Sequence, residues 1–250
     1  MQEPKGLTAV ILTGGFGTRL RATVPECPKV LAPVRGRPFL TYLLDHLLDA
    51  EISRVVLCTG YMGEHVRRVM GEQYGNIQLI YSQESSPLGT AGALRFAFPL
   101  LKSDPVLVMN GDSFCEADLK AMWSIHSERD AVATLLLSKV QDTKRYTRVY
   151  TNDDGLVLSF DEMENKGGPG WINAGVYFLN HRLLIGIPPG SPVSLENQVF
   201  PSWIGRDIYG WRGGSHFIDI GTPQAYGLAS EFFGLQKIWR FERSLSPKTK

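Results

Sequence analysis

The chain has 250 residues and a formal net charge of +1, from 26 Lys and Arg against 25 Asp and Glu. This balance argues against a general nucleic-acid or membrane-surface binder, and a hydrophobic content of 43% excludes wholesale disorder. The length is sufficient for one large domain whose core needs neither a disulfide nor a structural metal.

The first half of the chain alternates apolar runs with segments of helical periodicity. The predicted strands are 8–12, 54–59, 77–81, 106–109 and 131–137, and the predicted helices are 39–48, 64–74, 90–98 and 116–127. This alternation predicts an α/β fold with a Rossmann-like, mostly parallel sheet flanked by helices. The carboxyl ends of its strands would then lie on one ligand-binding edge.

The second half has the pattern of a small β-rich lobe. Its predicted elements are a hairpin (146–151 with 156–160), a strand 171–179, a helix 195–203, a small β pair (208–211 with 216–220) and a closing helix 224–233. We predict a single domain over residues 1–240, with halves at 7–140 and 141–235, and a flexible tail at 241–250.

The cysteines Cys27, Cys58 and Cys115 are far apart and form no CxxC pair, a usage typical of a reducing cytosol. The residues before Gly15 lack the apolar region and cleavage site of a signal peptide. The longest unbroken apolar run, 131–137, is too short to span a bilayer. We therefore expect a cytoplasmic protein without a membrane partner.

A glycine-rich loop at residues 14–20 (GGFGTRL) follows the first predicted strand. Glycine N–H groups can form a nest for an anion, and the Arg19 guanidinium is suited to phosphate oxygens. The loop matches neither the P-loop pattern GxxxxGK[ST] nor the dinucleotide pattern GxGxxG. On the glycine pattern alone, a tight turn with a surface arginine is the favoured interpretation.

Lys29 lies within residues 28–34 (PKVLAPV), between two prolines in an otherwise apolar stretch. Taken alone, Lys29 is explained as a lysine at the edge of a loop, with its charged end in solvent. Together, the strand, GGFGTRL and PKVLAPV strongly resemble the sugar-1-phosphate nucleotidyltransferases. The resemblance implies a GT-A-like fold with a nucleotide-binding half and a sugar-binding half. It also implies that Arg19 and Lys29 contact phosphates at the reacting centre.

The resemblance covers residues 7–233 and implies further nucleotide contacts. Residues 83–92 (QESSPLGTAG) resemble the family's base-recognition and lid segment, although alone they are typical of a turn before a helix. The implied nucleotide-binding residues are Leu12, Gly14, Gly15, Gly17, Thr18, Gln83, Pro87, Gly89 and Thr90.

Asp112 follows an apolar strand at the predicted ligand edge, and Asp219 begins a D-x-G-T-P motif. Singly, Asp112 is explained by an Asx turn and Asp219 by a turn before a helix. By resemblance they are the two protein ligands of a Mg²⁺ cofactor. Asp112 then joins Arg19 and Lys29 as the implied catalytic residues.

The resemblance also implies a sugar-binding set: Gly111, Glu162, Lys166, Asn173, Ala174, Gly175 and Glu196. The chain departs from the family pattern at Met163, where a lysine usually holds the sugar phosphate. Lys166, Arg145 or Arg212 could supply the missing charge, and Lys166 could equally be a solvated loop residue.

The implied reaction transfers a nucleoside monophosphate from a nucleoside triphosphate to a sugar 1-phosphate and releases pyrophosphate. Within the family, residues 12–15, 168–175 and 217–225 most resemble the D-glycero-α-D-manno-heptose 1-phosphate guanylyltransferases, which use GTP and yield GDP-heptose. The alternative is a mannose, glucose or amino-sugar 1-phosphate with GTP, dTTP, UTP or CTP.

Two other classes compete with this interpretation. The departure at Met163 is the best support for a non-catalytic paralogue that binds a nucleotide sugar, whereas the intact Arg19, Lys29, Asp112 and Asp219 oppose it. A metal-dependent glycosyltransferase would need a D-x-D motif, and Asn110 replaces its first aspartate. The sequence leaves a homodimer open, and we expect no nucleic-acid partner.

Overall fold

The computed structural model describes residues 6–15, 17–20, 23, 24, 27–161 and 167–235. Its strands are β1 (Thr8–Leu12), β2 (Pro33–Val34), β3 (Arg37–Pro38), β4 (Arg54–Thr59), β5 (Gln73–Tyr74), β6 (Ile77–Gln83), β7 (Val106–Asn110), β8 (Ser113–Cys115), β9 (Ala133–Val140), β10 (Arg148–Thr151), β11 (Val157–Asp161), β12 (Gly170–Leu179), β13 (Ile208–Gly214) and β14 (Phe217–Asp219). Its α-helices are α1 (Leu40–Asp49), α2 (Gly63–Met70), α3 (Gly89–Ala97), α4 (Leu119–Glu128), α5 (His181–Ile185), α6 (Phe200–Ser202) and α7 (Pro223–Gly234). Short 3₁₀ turns lie at Lys29–Leu31 and Phe98–Leu100, and a π-helical turn lies at Leu195–Val199.

A ten-stranded sheet joins strands from both predicted halves. Its main order is β11-β10-β12-β7-β1-β4-β6-β5, with β9 paired to β12 and β13 paired to β9. Strands β7, β1, β4 and β6 are parallel, whereas β12 runs antiparallel to β7. This arrangement confirms the predicted α/β fold with a mostly parallel sheet flanked by helices.

Helices cover both faces of the sheet, which explains why its central strands are continuous apolar runs. Side chains of β1 alternate between the two faces, so Ala9 and Ile11 join the core that contains the buried residues of α1. Val10 joins the opposite core, which contains the buried residues of α3. The parallel strands are therefore fixed between two apolar layers, and their carboxyl ends are held at one edge.

The strands near the C-terminus do not form the predicted local pair, so that prediction is wrong. Strand β13 runs parallel to β9, and β14 pairs antiparallel with β8, where Asp219 lies opposite Ser113. Gly214 explains part of the difference, because a Cβ atom there would lie 2.7 Å from the carbonyl oxygen of Leu137. Glycine thus lets β13 continue along β9 where the sequence suggested a turn.

Two further differences concern helix boundaries. The helix predicted over 64–74 ends at Met70, because Gly71 has a φ of +67° that favours glycine and the chain then forms β5. The helix predicted from 116 begins at Leu119, because the Asp118 carboxylate accepts the N–H groups of Lys120 and Ala121. The predicted tail 241–250 lies outside the described residues. In the part of the chain that the structure covers, no helix has the length and apolarity to cross a membrane.

Candidate active site

The carboxyl ends of β1, β4 and β7 border a cavity of about 260 Å³, called the first cavity here. After β1, the N–H and hydroxyl of Thr13 both donate to the carbonyl oxygen of Cys58 at 2.8 Å. After β7, a Cβ at Gly111 would lie 2.5 Å from the carbonyl oxygen of Leu12, so glycine permits this close approach. The predicted site residues that line the first cavity are Leu12, Gly14, Gly15, Lys29, Pro87, Gly89, Thr90, Gly111 and Asp112.

Glu84 also lines the first cavity, and the sequence analysis did not single it out. Its Oε1 would lie 2.9 Å from a Cβ at either Gly14 or Gly60, so the carboxylate packs closely against both glycines. The N–H of Leu88 donates to Glu84 Oε2 at 3.2 Å. Burial raises the pKa of Glu84. The neighbouring Gln83, predicted to contact the base, is exposed and does not belong to the lining.

The rest of the glycine-rich loop forms a turn beside the cavity. The N–H of Leu20 donates to the carbonyl oxygen of Gly17 at 2.9 Å, and the buried Leu20 side chain anchors the turn in the core. Gly17 has a φ of +58°. Thr18 and Arg19 are exposed and lie outside the lining of the first cavity. Their contacts with phosphate remain predictions.

Lys29 and Asp112 line the first cavity, and Asp219, which is outside its lining, lies beside them. Lys29 Nζ forms an ion pair with Asp112 Oδ2 at 2.6 Å. The pairing of β14 with β8 continues at the N–H of Ile220, which donates to the carbonyl oxygen of Asp112 at 2.9 Å. A Cβ at Gly221 would lie 3.1 Å from Lys29 Nζ and 2.7 Å from Asp219 Oδ1. Three residues far apart in the sequence are therefore neighbours.

The two carboxylates have the chemistry of a site for a hard divalent cation. Mg²⁺ prefers oxygen ligands and is commonly bound by one or two carboxylates together with substrate phosphates. Asp219 Oδ1 accepts the N–H of Gly221 at 2.5 Å, and Asp219 Oδ2 lies 3.5 Å from Arg145 Nη2. These contacts orient the Asp219 side chain, while Lys29 neutralises Asp112. The donor set fits the predicted cofactor.

A second cavity of about 180 Å³ adjoins the first, and Asn110 lines both. Asn173 and Glu196, two of the predicted sugar contacts, belong to its lining. Gly175 has a φ of +75°, and a Cβ there would lie 2.8 Å from Asn110 Nδ2. Within the described residues, Asn110 Oδ1 is buried and has no hydrogen-bond partner. Asn110 therefore brings an acceptor without a protein partner among the described residues to the wall that the two cavities share.

Tyr177 is a functional candidate that the sequence analysis missed. Its hydroxyl accepts from Asn173 Nδ2 at 3.0 Å and donates to Glu196 Oε1 at 3.2 Å in the wall of the second cavity. Burial raises the pKa of Tyr177 well above its usual value, and the Glu196 carboxylate adds to the effect. The hydroxyl therefore stays protonated and fixes both neighbouring side chains. Its position in an apolar strand gave no signal of this role.

Glu196 connects the second cavity to the loop that borders the first. Its Oε2 accepts the hydroxyl protons of Thr90 at 2.7 Å and Ser194 at 3.0 Å. The N–H of Leu195 in turn donates to Thr90 Oγ1 at 2.8 Å. A single carboxylate thus contacts residues of both predicted substrate sites.

Gly89 lets the loop before α3 pack closely against residues 191–195. It has a φ of +70°, and a Cβ there would lie only 2.5 Å from the carbonyl oxygen of Val193. The same carbonyl oxygen accepts the N–H groups of Ala91 and Gly92, and the N–H of Val193 donates to Leu88. This segment is therefore held to the second half by main-chain hydrogen bonds.

The remaining predicted sugar contacts have different positions. Ala174 is buried, and its carbonyl oxygen accepts from Ser113 Oγ at 3.4 Å. Gly111 borders the first cavity and not the second. Glu162 and Lys166 lie outside the described residues, so their roles remain predictions.

The region of the chain that is similar to known proteins includes nearly all of this fold. Residues 8–233 match the sequence profile of the nucleotidyl transferase family. This match includes both cavities and the cluster of Lys29, Asp112 and Asp219. The chain belongs to the nucleotidyl transferase family.

Individual relatives share a large part of the chain. It is 35% identical to the D-glycero-α-D-manno-heptose 1-phosphate guanylyltransferase of Aneurinibacillus thermoaerophilus, over 90% of this chain and 97% of that protein. It is 35% identical to the mannose-1-phosphate guanylyltransferase of Mycobacterium tuberculosis, over 87% of this chain and 62% of that protein. The crystal structure of HddC from Yersinia pseudotuberculosis in complex with GMP-PN aligns with a TM-score of 0.80 at 32% identity, covering 91% of this chain and 99% of that one.

These findings confirm the family resemblance and the transferase class that the sequence predicted. Nucleotidyltransferases of this family generally use divalent metal ions. The comparisons test neither the individual site residues nor the domain boundaries, which therefore remain predictions.

Proposed function

We propose that the protein transfers GMP from GTP to D-glycero-α-D-manno-heptose 1-phosphate, forming GDP-heptose and releasing pyrophosphate. The observation that carries this proposal is the pair of adjoining cavities that share Asn110. Gly14 and Gly15 of the glycine-rich loop, Lys29 and Asp112 border the first cavity, which we assign to GTP. Asn173 and Glu196 border the second, which we assign to the sugar 1-phosphate. Each substrate then has its own cavity, and their phosphates meet at the boundary.

The reaction needs no nucleophile from the protein. An oxygen of the sugar phosphate forms the new bond to the α-phosphorus of GTP, and the bond from that phosphorus to the bridging oxygen of pyrophosphate breaks. A phosphate monoester has its second pKa at about 6, so the attacking group is already ionised near neutral pH. No general base is required to generate it.

The main obstacle is the repulsion between two polyanions, which the chain can offset with fixed positive charge. Lys29 is placed by its ion pair with Asp112, and its side chain is only 15% exposed. A charge held in a partly dry site stabilises developing negative charge without reorganising during the reaction. Arg19 on the exposed turn is the second proposed phosphate contact. When bound by Asp112 and Asp219, Mg²⁺ would supply Lewis-acid neutralisation of phosphate charge.

The assignment of guanine and heptose rests on the relatives. A heptose 1-phosphate guanylyltransferase matches 90% of this chain and almost its own full length. The HddC structure, which contains GMP-PN, superimposes over a similar share. The mannose-1-phosphate guanylyltransferase is also 35% identical to this chain, but the match covers 62% of that protein's length. Mannose 1-phosphate is therefore the second candidate substrate.

The decisive experiment measures pyrophosphate release with Mg²⁺ for each of GTP, dTTP, UTP and CTP. Each nucleotide is paired with the heptose, mannose and glucose 1-phosphates, and Asp112→Asn serves as the comparison with reduced activity. We expect release with GTP and the heptose 1-phosphate, and at least a tenfold smaller kcat/KM with mannose 1-phosphate. A preference for another pair would retain the reaction class and reject the substrate assignment.

A non-catalytic paralogue gives a different result in the same assay. A folded protein that binds GTP in calorimetry but releases no pyrophosphate with any pair would reject the proposed reaction. The cytoplasmic location, the single domain and a homodimer remain predictions that this assay does not address.

A further inference from the structure

Two kinds of polar group line the second cavity. Glu196, Asn173 and the Tyr177 hydroxyl form a network that can exchange hydrogen bonds with hydroxyl groups. Arg145 adds a positive charge to the lining. A ligand that matches this arrangement carries both hydroxyl groups and an anionic group.

The Arg145 guanidinium is available for such an anion. Its side chain is 42% exposed, and Nη2 lies 3.5 Å from Asp219 Oδ2, at the long limit of a hydrogen bond. Within the described ranges, Asp219 is its one hydrogen-bond partner. A guanidinium has five N–H donors in a planar fork, so several donors remain for a ligand.

Arg212, the other arginine proposed for this charge, and Arg148 of the same half have different partners. Arg148 donates to Thr143 Oγ1 at 2.8 Å and to the carbonyl oxygen of Gly167 at 2.6 Å, which holds the loop before β12. Arg212 donates to Thr151 Oγ1 at 2.8 Å. Neither lines the second cavity, so among the described residues Arg145 is the cation on its wall.

The backbone around Arg145 is held in place from both sides. The N–H of Tyr146 donates to the carbonyl oxygen of Thr143 at 2.8 Å. The Tyr146 ring packs edge-on against Phe217, with centroids 5.4 Å apart, and Phe217 begins the strand that ends at Asp219. Arg145 is therefore positioned relative to the same strand that carries a proposed metal ligand.

We propose that Arg145 binds the phosphate group of the sugar 1-phosphate and replaces the cation that the family pattern places at Met163. This inference rests on the proposed function. The guanidinium fork matches two phosphate oxygens, and charge-assisted pairs of this kind are strong and directional. The phosphate would lie at the Asp219 end of the cavity, near the reacting centre, and the sugar hydroxyls would face Glu196. Arg145 thus fixes the direction in which the sugar enters.

The test compares Arg145→Gln and Arg145→Lys with the matched variant Arg212→Gln. Loss of a charged hydrogen bond commonly weakens binding by about 10- to 100-fold. We expect Arg145→Gln to raise the KM for sugar 1-phosphate by this factor while the KM for GTP changes less than about twofold. Arg145→Lys should recover part of the loss, because it keeps the charge but not the fork. Arg212→Gln should match the wild type.

Two further measurements separate this inference from its alternatives. If Arg145 only orients Asp219, the Gln variant will need more Mg²⁺ and its KM for sugar 1-phosphate at saturating Mg²⁺ will be unchanged, which would overturn the proposal. Calorimetric binding of sugar 1-phosphate to the wild type and to Arg145→Gln needs no turnover. Equal affinities would reject the role of Arg145 even if pyrophosphate is released. A weaker affinity would support it even if the proposed reaction fails.

Discussion

Removing the Tyr177 hydroxyl is the sharpest test of the hydrogen-bond network in the second cavity. The side chain is fully buried, and its hydroxyl contacts Asn173 and Glu196 at 3.0 and 3.2 Å. In Tyr177→Phe the amide of Asn173 loses an acceptor, whereas Glu196 keeps its contacts with Thr90 and Ser194. Two lost hydrogen bonds, one leaving a donor unsatisfied, should cost about 2–3 kcal/mol.

The matched control is Tyr42→Phe, which also removes a buried tyrosine hydroxyl. That hydroxyl donates to the carbonyl oxygen of Val34 at 3.1 Å, and Tyr42 lies outside the lining of both cavities. We expect a loss of about 1 kcal/mol for this variant. In a chain of this size, 1 kcal/mol corresponds to about 2–4 °C in Tm, so the two variants should be separable in thermal melts.

Kinetics provide the second measurement for this pair. Tyr177→Phe should raise the KM for sugar 1-phosphate about five- to tenfold, because Asn173 and Glu196 lose their common anchor. Tyr42→Phe should leave that KM unchanged. Equal losses of stability in the two variants, together with an unchanged KM in Tyr177→Phe, would refute the assigned role of the network.

Three other predictions follow from the structure. Gly89→Ala combines a left-handed φ with a Cβ contact of 2.5 Å at Val193, so it should lower stability by at least about 1 kcal/mol and raise the KM for GTP. Burial lowers the pKa of His126 in the folded protein, so on acidification the unfolded chain takes up a proton at this histidine more readily than the folded one does. The free energy of unfolding, measured by urea titration, should therefore fall as the pH drops below about 6.5. The fall should be less steep in His126→Gln. Lys29→Met and Asp112→Asn should each reduce kcat by about 100-fold, and full Mg²⁺-dependent activity in Asp112→Asn would reject its metal role.

The parallel part of the fold could be predicted because each strand is a short apolar run that the sequence itself delimits. Strands β1 and β4 have the predicted bounds, and the buried apolar interior of each makes it recognisable in the sequence. The pairing of β13 and β14 could not be predicted in this way. Their partners β9 and β8 lie far away in the sequence, and local patterns favour a hairpin when two short strands flank glycines.

The same difference between local patterns and long-range contacts separates the site residues that were predicted from those that were not. Lys29, Asp112 and Asp219 were predicted through the family resemblance of their motifs, because each residue alone has a simpler local explanation. Glu84 and Tyr177 were missed because their importance depends on what the fold places beside them, namely two glycines and two polar side chains. Arg145 was one of three open candidates, and only the lining of the second cavity distinguishes it from Arg212.

The contact between Thr90 and Glu196 has a consequence for how the two substrates influence each other. Thr90 lines the first cavity and Glu196 the second, so a ligand that orders either side chain also orders its partner across a 2.7 Å hydrogen bond. The conformational entropy cost of fixing this pair then falls on the binding of the first ligand, so the second ligand binds with a smaller entropy cost. Thermodynamic linkage makes the effect reciprocal: GTP should strengthen the binding of sugar 1-phosphate by the same factor by which sugar 1-phosphate strengthens that of GTP.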